Sequence, residues 1–305
     1  MARVAVFGST GMLGSAITRL FQSKFESVYE FNRSGNSVTG KNFTKKIDAT
    51  ADYNIAESLN GLEIDYIINC IGLIKQLIQE DSSKSLYLAK KVNVKFPQDL
   101  NSYANNFEIP LIQIGTDCVY SGKSGWYSEN SSHDPIDLYG ITKSLGEKSS
   151  DSSMIIRSSI VGKELKSANS LMEWVLSQPY GTTINGYTNH IWNGVTTLHF
   201  AQIVWGIIQN KSYEPGVAHL VPKDMVSKYE LIEFIAKNFG RDDLFVTKFE
   251  AENSINRSLI TVDPERNLRM WQGGGYNEIP AIGQMLSTYA NWTKIEEVEQ
   301  NRRWR

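Results

Sequence analysis

The stretch Gly8-Ser9-Thr10-Gly11-Met12-Leu13-Gly14 follows the apolar run Arg3–Phe7 and opens a helical pattern. No other feature constrains the fold as much. The run suits a strand buried on both faces. The first glycine permits a tight turn, the second lets backbone approach a pyrophosphate, and the third lets helix pack on strand. The following helix, expected from about Leu13 to Phe25, would turn free N–H groups and a positive dipole end toward phosphate. Thr10, Met12 and Leu13 join the three glycines as candidate cofactor-binding residues.

The rest of the first half repeats strand and helix signals. Strands are expected at Ser27–Phe31, Tyr66–Cys70, Leu111–Gly115 and Met154–Arg157. Helices are expected at Tyr53–Leu59, Ser82–Asn106 and Tyr139–Lys148, the second bent by Pro97. Repeated βα units give an α/β protein with a doubly wound parallel sheet. After Gly162 the pattern loosens, with helical segments at Leu171–Leu176, Phe200–Gln209 and Tyr229–Phe239 among Gly-, Asn- and aromatic-rich loops. This reads as a nucleotide-binding domain of residues 1–162 plus about 196–215. A smaller mixed domain follows from about 163–195 and 216–305. The tail Asn301–Arg305 is expected to be a frayed basic end.

The chain has 305 residues, 41% hydrophobic and 21% charged, with a net charge of −2. That supports a real core and gives no basic footprint for nucleic acid or anionic lipid. No run approaches membrane-spanning length, and the N-terminus reads as a first strand rather than a signal peptide. With only Cys70 and Cys118, a cytoplasmic protein is expected. The four histidines are scattered without ligand spacing, so no metal site is expected.

The second strand should end near the adenosine ribose of a dinucleotide, where NAD-preferring proteins offer an acid. Here Glu30-Phe31-Asn32-Arg33-Ser34 has no acid after the strand, and Arg33 is free to pair with a 2′-phosphate. NADPH (NADP+) is expected, with Ser34 beside it and NADH as the alternative. In that alternative Arg33 is solvated and Glu30 holds the ribose. Asp48 either accepts from the adenine amino group or caps a helix.

Tyr139 and Lys143 lie four apart on one helical face, and Thr116 follows the strand Leu111–Gly115. A hydroxyl, a phenol and an ammonium can then converge beside the cofactor. This fits ketone reduction. Hydride reaches the carbonyl carbon while the oxygen gains a proton. The phenol, with an ordinary pKa of about 10, becomes a usable acid if Lys143 stabilises its phenolate. Thr116 can donate to the developing oxyanion.

Several motifs now coincide: Gly8-x-x-Gly11-x-x-Gly14, Asn69-Cys70-Ile71-Gly72, Gly115-Thr116-Asp117-Cys118-Val119-Tyr120, Tyr139-Gly140-x-x-Lys143-x-x-Gly146-Glu147 and His190-Ile191-Trp192-Asn193-Gly194-Val195-Thr196-Thr197. Together with Glu129, Pro135 and Arg157, they resemble the extended short-chain dehydrogenase/reductases, and within them the dTDP-4-dehydrorhamnose reductase group. The likeness is firm to about residue 162. It implies a Rossmann-type fold and an enzyme reducing a nucleotide-linked 4-keto-6-deoxy sugar for deoxysugar or cell-surface polysaccharide synthesis. A nucleotide-diphosphate sugar is then the partner, and a homodimer is compatible with it. The likeness sets Ile71 and Gly72 beside the cofactor and Asp117 and Val119 at the sugar. Trp192 and Asn193 are candidates to stack on and hydrogen-bond the sugar or base. Cys118 and Ile160 depart from the group, where aromatic residues are usual. Cys118 instead has the offset from Thr116 of the cysteine in GDP-fucose synthases, so with His190 an epimerising enzyme is the alternative. A second is a non-catalytic NADP-binding regulatory subunit like the β-subunit of methionine adenosyltransferase.

Overall fold

The computed structural model describes residues 2–148, 152–165 and 168–303. Its strands are β1 (Arg3–Phe7), β2 (Ser27–Asn32), β3 (Thr44–Lys46), β4 (Tyr66–Asn69), β5 (Leu111–Ile114), β6 (Met154–Arg157), β7 (Ile160–Val161), β8 (Thr183–Tyr187), β9 (His190–Trp192), β10 (Val195–Thr196), β11 (Gly216–His219), β12 (Val226–Ser227), β13 (Phe245–Phe249) and β14 (Ile255–Asn256). Its α-helices are α1 (Met12–Phe21), α2 (Ile55–Leu59), α3 (Ser83–Lys90), α4 (Phe96–Asn106), α5 (Leu138–Lys148), α6 (Leu171–Leu176), α7 (Thr197–Gln209), α8 (Lys228–Asn238), α9 (Pro264–Gly273) and α10 (Ile282–Arg303).

Seven parallel strands form the central sheet in the order β11-β6-β5-β4-β1-β2-β3. The chain winds one way from β1 to β3 and the other way from β4 onward. The crevice therefore opens beyond the ends of β1 and β4, where ligands bind in such sheets. Alternate residues of β1 feed two cores. Val4 and Val6 pack with Ile17, Phe21 and Phe200, whereas Ala5 and Phe7 pack with Phe31, Phe96 and Leu100. The smaller region holds a three-stranded sheet, β12-β9-β14, and the pair β13-β8. Gly216–His219, expected in the smaller domain, is instead the seventh strand of the main sheet and pairs with β6. Its Val217-Ala218 stretch is too short for periodicity to place it.

Helix α1 stops at Phe21, and the chain turns so that Phe25 folds edge-on against Phe21. Asn301–Arg303, expected to fray, continue α10, and Trp304 and Arg305 lie outside the described residues. The long helix expected over Ser82–Asn106 is present, but its irregularity precedes Pro97. Lys91–Lys95 form a π turn between α3 and α4. Proline has no N–H, so it cannot close a helical bond to the carbonyl of Asn93 four residues back. That carbonyl faces Gly146 of α5, where an added Cβ would stand 2.1 Å from it.

The contact between Gly146 and the π turn fixes how α5 approaches the sheet. Gly146→Ala should lower unfolding stability by about 1–3 kcal/mol, the usual scale of overpacking. Urea denaturation checks this, and an unchanged midpoint would remove the contact from the account.

Candidate active site

The glycine loop is a closely packed cradle. Gly8 has φ 81, and a Cβ on it would meet the Cys70 carbonyl carbon at 2.9 Å. A Cβ on Gly14 would lie 2.1 Å from the Gly8 oxygen. Gly11 is the N-cap of α1 and lays no side chain over the helix end. The first N–H groups of the helix lack carbonyl partners within it, so this end suits a pyrophosphate. Leu13 is buried in the core, while Thr10 and Met12 are partly exposed on the loop.

Asn32, at the end of β2, organises the turn that follows. Its amide donates to the Ser9 hydroxyl at 2.9 Å and the Asn36 carbonyl at 3.0 Å. Its oxygen accepts from the Ser34 and Gly35 N–H groups at 3.0 and 2.9 Å. Glu30 is fully buried and receives Ser37, Val38 N–H and Asn42 at 2.6, 2.8 and 3.1 Å. It closes the loop that follows and is not free to hold a ribose. Arg33 and Ser34 are exposed. Asp48 accepts from the Thr50 N–H and hydroxyl at 2.9 and 2.7 Å. Burial opposes its charge, yet these bonds, with Arg33 and Lys46, hold its carboxyl below the usual range.

Beyond β4, Asn69 donates to Gln113 at 3.0 Å and accepts from the Ile71 N–H at 3.0 Å. Asn93, aimed by the π turn, clasps both backbone groups of Leu73 at 2.8 and 3.0 Å and donates to Thr142 at 3.0 Å. The Ile71-Gly72-Leu73 loop is thus tied to α5 between Tyr139 and Lys143.

Thr116 caps the short turn Asp117–Val119 by accepting from the Cys118 N–H at 3.2 Å. Tyr139, half-buried, is hydrogen-bonded to Thr116. Burial, together with Cys118 and nearby acids, pushes its phenol well above the ordinary value, and the Thr116 bond opposes this only in part. Lys143 donates to the Ile114 carbonyl at 2.8 Å. Burial lowers its ammonium from the ordinary value, and Glu147 opposes that. The structure therefore brings the three residues together. However, the phenol is governed by burial, and the depression by Lys143 expected from the sequence is not seen.

Beneath them lies a buried ion pair. Arg157 Nε donates to Glu147 Oε2 at 2.7 Å, with both side chains only 4% exposed. Arg157 Nη1 also reaches the Tyr120 hydroxyl at 2.8 Å and His219 Nε2 at 3.4 Å. His219 Nδ1 meets the Ile260 carbonyl at 2.7 Å, so this nitrogen carries the proton and Nε2 accepts. Burial lowers the His219 pKa to about 4, which keeps the ring neutral. Gly115 is required here, since a Cβ would lie 2.7 Å from Arg157 Cγ.

In the turn after Thr116, Asp117 accepts from Thr116 at 3.2 Å and from the Cys118 thiol at 3.6 Å. Burial, with Asp117, pushes the Cys118 thiol up to about 12. Val119 is wholly enclosed with Tyr120, Tyr127 and Leu259, so its side chain packs rather than lines a pocket. Asn193 exchanges both amide groups with the backbone of Leu259 at 2.7 and 2.9 Å, a structural role. Trp192 is largely buried and donates to Ser159 at 2.8 Å. His190 meets the Asn253 carbonyl at 3.0 Å and the Tyr187 ring. Sequence reasoning missed Asn32, Asn93 and Lys228. The ammonium of Lys228 lies 5.6 Å from the Trp192 ring centroid. The string Ser227-Lys228-Tyr229-Glu230 signals a helix start, which conceals the packing of this lysine against Trp192.

The chain is similar to several known proteins. Residues 2–258 match the family model described as the RmlD substrate binding domain. A probable low-salt glycan biosynthesis reductase of Haloferax volcanii is 29% identical over 143 residues, 47% of this chain and 46% of that protein, so the match spans under half its length. A dTDP-4-dehydrorhamnose reductase of Aggregatibacter actinomycetemcomitans is 25% identical over 75% of this chain and 76% of its own. The β-subunit of methionine adenosyltransferase 2 from Xenopus laevis is 23% identical over 78% and 72%. The crystal structure of a dTDP-4-dehydrorhamnose reductase from Clostridium acetobutylicum superposes with a TM-score of 0.74 at 20% identity, covering 96% of this chain and 99% of that one. With a family model spanning most of its length, a doubly wound sheet and a Thr–Tyr–Lys cluster beside a dinucleotide cradle, the chain belongs to the RmlD substrate-binding family of extended short-chain dehydrogenase/reductases.

Proposed function

We propose that the protein reduces the 4-keto group of a nucleotide-linked 4-keto-6-deoxy sugar, with NADPH as reductant. The observation that carries this reading is the grouping of Thr116, Tyr139 and Lys143 next to the glycine cradle, with the phenol kept protonated by burial. Bound at the cradle, the nicotinamide cofactor supplies hydride to the carbonyl carbon. Tyr139 holds the proton that the carbonyl oxygen needs, and a raised phenol pKa keeps that proton in place at neutral pH. Thr116 orients the phenol and offers a hydrogen bond to the growing charge on oxygen. Lys143 adds positive charge at the same edge of the sheet. Gly8, Gly11, Gly14 and the α1 N-terminus hold the pyrophosphate, Ile71 and Gly72 flank the cofactor, and Arg33 and Ser34 meet the ribose phosphate.

Two other readings have specific observations to answer. Epimerisation by Cys118 needs a thiolate, which a thiol pushed up to about 12 does not supply near neutrality. It also needs His190 at the same carbon, but His190 is bonded to the Asn253 carbonyl. A regulatory subunit is favoured by the similarity to the methionine adenosyltransferase β-subunit. The complete Thr116–Tyr139–Lys143 set favours catalysis instead. Oxidation of NADPH with a keto-sugar nucleotide separates the two, and a purified protein that binds cofactor without turnover would leave the regulatory reading standing.

Tyr139→Phe should lower keto-sugar reduction by about two or more orders of magnitude, the scale of general acid catalysis, while cofactor affinity changes little in a direct titration. In the wild type, the reverse alcohol oxidation needs the phenolate. Its rate should therefore climb as pH rises above neutrality while forward reduction stays flat there.

Wild-type protein should bind NADPH more tightly than NADH. Arg33→Ala should remove about 1.5–3 kcal/mol of that preference, the worth of a charged hydrogen bond. Equal affinity for the two cofactors in the wild type would reject the role given to Arg33.

Reduction run in D₂O should place no deuterium on carbon, relative to an enzyme-free control. Enzyme-dependent label at C3 or C5, lost in Cys118→Ser, would make the epimerising reading correct.

A further inference from the structure

Two cations beside the Thr116 turn, Lys228 and Arg257, make no direct salt bridge among the described residues. Lys228 is the first residue of α8, whose N-cap Ser227 forms a capping box with Glu230. Strand β12 pairs Val226 with Trp192, and β14 pairs Asn256 with Ile191. The small sheet thereby sets Lys228, Trp192 and Arg257 next to one another. Lys228 Nζ lies over the Trp192 ring, 5.6 Å from its centroid. Arg257 Nε donates to the Tyr120 carbonyl at 2.9 Å. Among the described residues, no hydrogen bond or salt bridge is made by the Lys228 ammonium or by the terminal nitrogens of Arg257. Lys228 interacts electrostatically with Asp117, Cys118 and Arg257.

Several physical effects disfavour this lysine in the protein alone. It is partly buried, and burial lowers its pKa to about 8. Arg257 repels it, and the positive end of the α8 dipole does the same. Asp117 is the one acid among the groups acting on it, against two cations. Asp137, which also interacts with Arg257, is paired with Lys75 at 2.9 Å. By contrast Arg266 donates to the Val217 and Glu214 carbonyls at 3.3 and 2.8 Å and is used structurally. An anion placed between the Lys228 ammonium and the Arg257 guanidinium would answer all three costs: two cations without an ion pair, a helix dipole and a desolvated ammonium.

We infer that Lys228, with Arg257 beside it, forms an oxyanion subsite at the edge of the Thr116 turn, and that it fixes the sugar nucleotide by a negatively charged group. This rests on the sugar-nucleotide reading above and adds a specificity-determining residue to it. Phosphate oxygens of the diphosphate and a carboxylate on the sugar share this chemistry.

The test is calorimetric binding to wild type, Lys228→Met and Lys228→Arg, with NADP+ bound. The probes are a nucleoside diphosphate, its glucose ester and its glucuronate ester, in the uridine and thymidine series. Lys228→Met should bind the relevant probe at least about tenfold more weakly, a loss of about 1.4 kcal/mol or more, with NADP+ affinity unchanged. Lys228→Arg should recover most of that loss. Weakening shared by all three probes assigns the subsite to the diphosphate, and weakening confined to the glucuronate ester assigns it to a carboxylate. Wild-type affinity retained in Lys228→Met overturns the inference and leaves the ketoreductase reading intact. Failure of the wild type to bind any probe overturns both.

Discussion

The buried pair Arg157–Glu147 is the interaction on which the site depends. It joins β6 to α5, and α5 carries Tyr139 and Lys143. The guanidinium also reaches Tyr120 in the loop after Thr116 and His219 at the end of β11. Gly115 rests directly on it. Burying such a pair gains little net free energy, but removing one partner strands the other and costs about 3–5 kcal/mol. Its value is therefore geometric. It holds the end of β5, the start of the Thr116 turn and helix α5 in one arrangement.

Helix α5 then serves several neighbours at once. Tyr139 faces Thr116, Lys143 meets the Ile114 carbonyl, Thr142 meets Asn93, Gly146 rests on the π turn, and Glu147 holds Arg157. Its N-terminus is fixed by Asp137, which accepts from the Gly140 N–H at 2.8 Å. A helix anchored at both ends and along its length keeps the phenol and the ammonium in place without help from a ligand. Such preorganisation is what general acid catalysis requires.

Much of this was legible in the sequence. The glycine spacing after a five-residue apolar run located the turn into α1, and the Tyr–Lys spacing located helix α5. Both depend on short-range periodicity. What escaped notice depends on long-range packing. Val119 and Asn193 lie in motifs that resemble ligand-binding stretches, yet one is enclosed by aromatics and the other by the backbone of Leu259. Lys228 lies 110 residues or so beyond the Thr116 turn, and only the pairing of β12 with β9 brings it near. The Tyr139 phenol was expected to answer to Lys143, but its protonation follows burial, which no local pattern reveals.

The Asn32 amide has a consequence for redesign. It holds the Ser34–Asn36 turn on one side and Ser9 of the phosphate cradle on the other. Glu30 is already engaged by Ser37, Val38 and Asn42. An engineer who wants an acid at the ribose would turn first to position 32. Asn32→Asp would exchange two N–H donors for a second acceptor facing the Ser9 hydroxyl and the Asn36 carbonyl. An acid at position 32 would thus disturb the glycine loop through Ser9 as well as the turn after β2, because one side chain joins the two.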